Sequence, residues 1–129
     1  MAEQSSAHGN FYWNELMTRD AEKAKKFYAD VIGWGFDGME MPDGTYWVAK
    51  KKDKPVGGIF PLNDPKFKGV PESWMSYLAV DDVDARAKKA QANGAKLMQP
   101  IFDVPGVGRI AVLTEPGGAR IGWITPAPK

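Results

Sequence analysis

Cysteine is absent from this chain of 129 residues, and histidine occurs once, as His8. Without cysteine there are no disulfides, no thiolate metal ligands and no cysteine nucleophile. A single histidine excludes a metal centre of two histidines and a carboxylate, and its place in the N-terminal tail argues against a Ser-His-Asp triad. Any chemistry in this protein therefore depends on other side chains.

The chain also lacks a charge excess and long apolar runs. Its 17 Lys+Arg residues nearly cancel its 16 Asp+Glu residues, leaving a net charge of +1. This balance argues against nucleic acid as a partner, and the short apolar runs argue against a membrane. Residues 1–9 hold no apolar stretch typical of a signal peptide. We therefore expect a cytoplasmic protein with a frayed tail over residues 1–9.

An internal repeat is the most informative pattern that is present. Positions 62 residues apart match in the first half of the repeat, and positions 64 apart match near its end. The matching pairs are Leu16 and Leu78, Asp20 and Asp82, and Val56 and Arg120. A unit of about 50 residues is too small to bury a sheet face alone. The repeat predicts one folded domain of two modules, residues 10–62 and 73–126, joined by a linker at 63–72.

Each module has the pattern strand, helix and three strands. Asp20 and Asp82 are typical helix N-caps, and Gly33 and Gly94 are typical C-terminal glycines. The first helix has a predicted buried stripe of Ala24, Phe27, Tyr28 and Val31, and the second has Val83, Ala87 and Ala90. The predicted strands are 11–17, 35–41, 45–50 and 56–62, then 74–80, 95–99, 109–114 and 119–124, with turns at 42–44 and 115–118.

The order and spacing of several short motifs resemble the vicinal-oxygen-chelate superfamily, which includes glyoxalase I, bleomycin-resistance proteins and extradiol dioxygenases. The motifs are Glu15-Leu16-x-Thr18-x-Asp20, Phe27-Tyr28, Gly33-Trp34, Val80-Asp81-Asp82-Val83-Asp84, Gly94-Ala95, Gly108-Arg109 and Glu115-Pro116-x-Gly118. The resemblance implies an α+β fold in which two βαβββ modules form facing, cupped mixed sheets. It also implies a cavity between the modules that binds small molecules.

Members of the resembled family that perform chemistry hold a divalent metal with four side chains, from the first and last strand of each module. In this sequence the four positions are Trp13, Gly58, Met75 and Gly122. An indole nitrogen has no free lone pair, and glycine has no side chain. We therefore predict neither a metal site nor a cofactor.

Strand alternation predicts which side chains line the cavity instead, because successive residues point to opposite faces of a sheet. The predicted lining residues are Phe11, Trp13, Glu15, Val56, Gly58, Phe60, Met75, Tyr77, Arg120 and Gly122, with Arg109 at the mouth. The two glycines leave room for a ligand or for its close approach to the backbone. The aromatic residues are equally compatible with a filled core, and Arg109 with an ordinary surface arginine.

Glu15 is the candidate catalytic residue. Desolvation in an aromatic cavity raises the pKa of a carboxylate unless a cation compensates it, and either environment suits acid-base chemistry. The structural alternatives are an ion pair with Arg120 or an exposed position.

Three classes of function remain open. We expect a glyoxalase/bleomycin-resistance-like protein that binds a small molecule without a metal, and a homodimer. One alternative is a glyoxalase-like lyase or dioxygenase, either with metal ligands at other positions or metal-free with Glu15 as general base and Tyr77 or Arg120 as electrophilic partner. The other alternative is a noncatalytic interaction module with a closed cavity.

Overall fold

The computed structural model describes residues 7–42 and 44–128. The strands are β1 Phe11–Thr18, β2 Gly35–Met41, β3 Gly44–Lys51, β4 Lys54–Pro61, β5 Ser73–Ala79, β6 Lys96–Leu97, β7 Phe102–Val104, β8 Gly108–Thr114 and β9 Arg120–Pro126. The helices are α1 Ala21–Val31 and α2 Val83–Ala92, with a 3-10 turn at Pro65–Phe67. No helix in these ranges is long and apolar enough to cross a membrane.

The chain divides into two compact units. The first unit is Asn14–Met75, and the second combines the segment up to Trp13 with the segment from Ser76 onward. The division falls three residues into β1 and three residues into β5.

In the first unit the strand order is β2-β3-β4-β1. β2, β3 and β4 are antiparallel neighbours, whereas β4 and β1 run parallel. The β2–β3 hairpin confirms the predicted turn at 42–44, of which Asp43 lies outside the described residues. The connection from β1 to its parallel neighbour β4 contains α1 and the β2–β3 hairpin, and it is long enough for the crossover that parallel strands require.

In the second unit the order is β5-β9-β8-β6, and β7 pairs with β8. β5 and β9 run parallel, and β8 is antiparallel to its neighbours. The predicted strand at 95–99 is shortened to the two residues of β6, and β7 was not predicted. Pro100 and Pro105 flank β7 and left no periodic pattern long enough to predict a strand there.

The register of the parallel pairs confirms the internal repeat. Glu15 lies opposite Gly58 in the first unit, and Tyr77 lies opposite Gly122 in the second. These pairs are related by the offsets of 62 and 64 that the sequence alignment used. The two modules therefore share the register of their parallel strand pairs, although the second has the additional strand β7.

Both helices begin and end as predicted. The Asp20 side chain accepts a hydrogen bond from the Lys23 amide at 3.0 Å, and that of Asp82 accepts from the Ala85 amide at 3.2 Å. Gly33 and Gly94 follow the helices at φ angles of +89° and +98°, which only glycine adopts readily.

The two helices differ in how they are packed. In the second unit Val83 and Ala87 of α2 are buried against Ala111, Leu113 and Ile121, which confirms the predicted stripe. In α1 no residue is buried, so the predicted buried stripe was wrong for this helix. The periodic pattern is present, but its large side chains, Phe27 and Val31, lie mostly in solvent.

The segments outside the predicted modules are also held by hydrogen bonds. The Arg19 guanidinium donates to the carbonyls of Phe67 and Val70, which fixes the predicted linker within the first unit. Of the predicted tail, residues 1–6 lie outside the described residues. His8 accepts a hydrogen bond from the Asp81 amide, and Gly9 donates one to the Ala79 carbonyl, so this end of the tail is anchored.

Candidate functional site

The central feature of the first unit is a buried carboxylate. Glu15 is only 7% exposed, and the hydroxyl of Tyr46 donates a hydrogen bond of 2.9 Å to its Oε1 atom. The two residues are 31 positions apart in sequence and are brought together because β1 and β3 both neighbour β4. A buried carboxylate is costly unless hydrogen bonds or cations compensate it, so this pair is a candidate functional group.

Gly58 makes the Glu15–Tyr46 contact possible. It lies opposite Glu15 on β4, and a Cβ atom at this position would overlap the hydroxyl and ring of Tyr46. The predicted room beside Gly58 is therefore occupied by the phenol. Tyr46 lies on β3, two residues before Val48, which is directly opposite Gly58. Tyr46 and Val48 therefore project from the same face of β3.

The second unit builds the equivalent place differently. Tyr77 stands at the repeat position of Glu15, and its ring covers Gly122 so closely that a Cβ there would overlap it. Val112 lies opposite Gly122, as Val48 lies opposite Gly58 in the first unit. Ile110 and Tyr46 each come two residues earlier on these strands, so Ile110 stands at the repeat position of Tyr46. The second unit therefore forms the equivalent strand pair without a carboxylate at this position.

The structure distributes the other predicted site residues over four strands. Val56 and Phe60 alternate with Gly58 on β4 and are half-buried, and the ring of Phe60 packs 5.5 Å from that of Phe67. Trp13 and Arg120 are half-buried, Met75 is buried, and Phe11 is exposed. The predicted convergence of Trp13, Gly58, Met75 and Gly122 stays a prediction, because these residues are divided between the two units.

The described residues do not fit the divalent metal that catalytic members of the resembled family hold. A ligand side chain at Gly58 or Gly122 would have to displace Tyr46 or Tyr77. Among residues 7–42 and 44–128 there is also no group of three or more histidine, cysteine, aspartate or glutamate side chains placed to hold a metal. Hard or imidazole-type metal sites need such donors.

Arg109 is held by carboxylates of its own unit. Its guanidinium donates to both oxygens of Asp84, at 2.7 and 3.1 Å, and to Asp103 at 3.0 Å. These hydrogen bonds keep the pKa of Asp84 below its ordinary value and that of Arg109 above. The geometry favours the surface-arginine alternative over an anion clamp.

A shallow cavity of about 460 Å³ lies on the α1 side of the first unit, on the opposite face of β3 from Tyr46. It is lined by Trp34, Phe36 and Trp47 together with charged residues of α1. The ammonium group of Lys25 lies 3.1 Å from the centre of the Trp47 ring and 2.9 Å from Glu22. The positive charge of Lys25 is therefore already compensated by Glu22 and by the Trp47 ring.

Tyr46 is the functional candidate that sequence reasoning missed. The hairpin was predicted, but its register against β4 was not, and register decides which side chain stands over Gly58. The available signal was the alternation of Tyr46 and Val48 on a strand next to two consecutive glycines, Gly57 and Gly58.

Comparison with known proteins identifies the class. The family model described as Glyoxalase/Bleomycin resistance protein/Dioxygenase superfamily matches residues 11–122, so the chain belongs to this superfamily. This confirms the resemblance seen in the motifs. The chain is 39% identical over 112 residues to CFP32 of Mycobacterium tuberculosis, a candidate glyoxylase by its name. The match covers 85% of this chain and 43% of CFP32, so the chain spans less than half of that relative.

Solved structures confirm the predicted α+β fold. The hypothetical protein BH1468 from Bacillus halodurans superposes with a TM-score of 0.72 at 10% identity, over 95% of this chain and 98% of that one. Methylmalonyl-CoA epimerase from Mycobacterium tuberculosis superposes with a TM-score of 0.65 at 19% identity, over 99% and 94% of the two chains. At these identities the likeness concerns the fold alone.

Proposed function

We propose that this member of the superfamily binds a small molecule through the Glu15–Tyr46 pair, which takes the place of the family's metal as the polar anchor. The observation that carries the proposal is the difference between the repeats. The first unit places a buried acid and a half-buried phenol where the second has Tyr77 and Ile110.

The energetic cost of the acid supports a functional role. Burying a carboxyl group away from water costs free energy, and the hydrogen bonds that it makes in the protein, that from Tyr46 among them, offset part of this cost. Because the second unit shows that the fold is complete without an acid at this place, stability does not account for Glu15. A buried acid that the fold itself does not require is typical of a binding or catalytic site.

The chemistry of the pair indicates what its ligand offers. A carboxylate has acceptor sites on both oxygens, and Tyr46 donates to one of them in Glu15. A ligand in this place therefore presents a hydrogen-bond donor to Glu15 and apolar surface to the half-buried side chains of the same face, Val56 and Phe60.

The same contact favours a second candidate function, which is metal-free proton transfer. Glu15 would remove a proton from the substrate, and the hydroxyl of Tyr46, 2.9 Å from its Oε1, would hold the carboxylate in orientation. In this version the phenol next to the base is Tyr46, rather than the Tyr77 that the sequence suggested.

A thermal-shift screen of small metabolites with four proteins tests the proposal. A ligand that binds the native state must raise the melting temperature by mass action. We expect compounds that stabilise the wild type to lose their effect in Glu15→Gln and Tyr46→Phe, and to keep it in the control Tyr77→Phe. A compound whose effect survives in both Glu15→Gln and Tyr46→Phe would contradict the proposed anchor. A screen without any stabilising compound would favour the noncatalytic module. Turnover of a bound compound by the wild type but not by Glu15→Gln would favour the second candidate function, metal-free proton transfer.

A further inference from the structure

Arg120 is a half-buried arginine on β9 whose guanidinium has no hydrogen-bond or ion-pair partner within residues 7–42 and 44–128. The other three arginines of the chain, Arg19, Arg86 and Arg109, all donate to carbonyl or carboxylate oxygens. A guanidinium has five N–H donors and a permanent charge, so partial burial without an acceptor costs free energy. An acceptor from outside the chain would remove this cost.

The internal repeat shows that the fold does not require a cation at this place. Val56 stands at the repeat position of Arg120, because each lies two residues before the glycine of its parallel strand pair. Val56 is half-buried as well. The first unit therefore accepts an apolar side chain here, whereas the second carries a guanidinium with unused donors.

Two further hydrogen-bond donors lie beside Arg120 on the same face of the sheet. Thr114 of β8 is directly opposite Arg120, and Lys96 of β6 is directly opposite Thr114. Residues directly opposite each other in antiparallel strands project from the same face, and neighbouring strands are about 4.8 Å apart. Lys96 and Arg120 therefore stand about 10 Å apart at the backbone, with Thr114 between them. Their long side chains reach a group held over Thr114 from both sides.

No carboxylate of the described residues neutralises this row of donors. Neither Lys96 nor Arg120 forms an ion pair in that part of the chain. Glu115 follows Thr114 directly in sequence but pairs with neither cation. Helix α2 packs on the opposite face of the sheet, against Leu113. The row is therefore a positively charged place with unused donors.

The hydroxyl of Thr114 is available to a ligand as well. It donates a hydrogen bond of 2.7 Å to the Sδ atom of Met98. A thioether is a weak acceptor, and a hydroxyl rotates to suit its partner. A charged oxygen is a stronger acceptor, so it would take this proton from the sulfur.

The chemistry of the row favours a phosphate group over a carboxylate. The guanidinium fork matches phosphate oxygens bidentately, and lysine binds phosphate as a point charge. A phosphate monoester carries a charge of about −1.5 to −2 at pH 7 and offers three acceptor oxygens, which two cations and a hydroxyl match. A nucleic acid or an anionic membrane needs a wider basic surface than two cations. We propose that Lys96, Thr114 and Arg120 bind the phosphate group of a small molecule.

Titration with inorganic phosphate, followed by NMR of the arginine Nε–H groups at constant pH and ionic strength, tests this proposal. The chain has only four arginines, so each signal is assignable. We expect one signal to shift with a dissociation constant on the order of 1 mM, and that signal to be absent from Arg120→Gln. The signals of Arg19, Arg86 and Arg109 should stay in place, because their guanidinium groups are already held. An unchanged Arg120 signal, or equal shifts of all four, would overturn the proposal.

Thermal unfolding with phosphate gives a second measurement. A ligand that binds the native state raises the melting temperature, but phosphate also stabilises proteins by exclusion from their surface, so the comparison between variants decides. Arg120→Gln should weaken the apparent phosphate affinity at least about tenfold and Lys96→Gln at least about threefold. The matched control Lys88→Gln, at an exposed lysine of α2, should leave it unchanged. An equal loss in Lys88→Gln, or stabilisation by acetate and not by phosphate, would contradict a phosphate site at this row.

Discussion

Replacing Gly58 with alanine tests the packing at the Glu15–Tyr46 pair. Strand preference alone predicts a gain, because glycine within a strand is about 0.5–1 kcal/mol less stable than alanine. Gly58 has no unusual φ angle that would demand glycine. The added methyl group, however, would overlap the hydroxyl and ring of Tyr46. The two effects have opposite signs, so the measured change in stability decides between them.

The steric effect is the larger one. Overpacking a core position costs about 1–3 kcal/mol. Moving Tyr46 away also removes its 2.9 Å hydrogen bond to the buried Glu15, and bonds to charged groups contribute about 1.5–3 kcal/mol. We therefore expect Gly58→Ala to destabilise the chain by about 3–5 kcal/mol, which for a domain of this size lowers the melting temperature by roughly 10 °C or more.

Urea unfolding followed by tryptophan fluorescence, arranged as a double-mutant cycle, provides the assay. In the background of Tyr46→Ala the space over Gly58 is open, so Gly58→Ala should there be neutral or stabilising. The coupling between the two positions should exceed about 2 kcal/mol. A neutral Gly58→Ala in the wild type, or the same penalty in both backgrounds, would refute the reasoning.

Three further predictions concern the second unit. Gly122→Ala should be destabilising by about 1–3 kcal/mol in urea unfolding, since its methyl group would overlap the Tyr77 ring. Arg109 lowers the pKa of Asp84, so the pair stabilises the folded state above about pH 4 and loses this contribution as the pH falls through the lowered pKa. Arg109→Gln should therefore be less stable than the wild type at pH 6, by a margin that shrinks as the pH falls below about 4. Trp123→Phe should cost less than about 1 kcal/mol in urea unfolding, since it removes a buried indole N–H that has no partner among the described residues.

The fold was largely predictable because the repeat and the helix termini are local signals. Asp20 and Asp82 marked the helix starts, and the offsets of 62 and 64 match Glu15 to Tyr77 and Gly58 to Gly122, which form the equivalent strand pairs in the two units. The burial of α1 was not predictable in the same way. An apolar stripe shows that a helix has an apolar face, but the stripe is the same whether that face meets its own sheet or another chain.

The candidate site was predictable only in part. The position of Glu15 followed from alternation along one strand, which is a local property. Its partner Tyr46 depended on the register of β3 against β4, which includes an irregularity at Ala49 and Lys50. Register is set by contacts between distant segments, so a short strand does not reveal it. For the same reason the sequence predicted room beside Gly58 and Gly122, where the structure places tyrosine side chains.

Metal binding by the untagged protein after chelator treatment tests most directly whether the Glu15–Tyr46 pair has replaced the family's metal. The account predicts less than stoichiometric metal by elemental analysis and no rise in melting temperature with Zn²⁺, Ni²⁺, Mn²⁺ or Fe²⁺, in the wild type and in a His8→Ala control that removes the only imidazole. A reproducible rise that persists in His8→Ala and is lost in Glu15→Ala would contradict it.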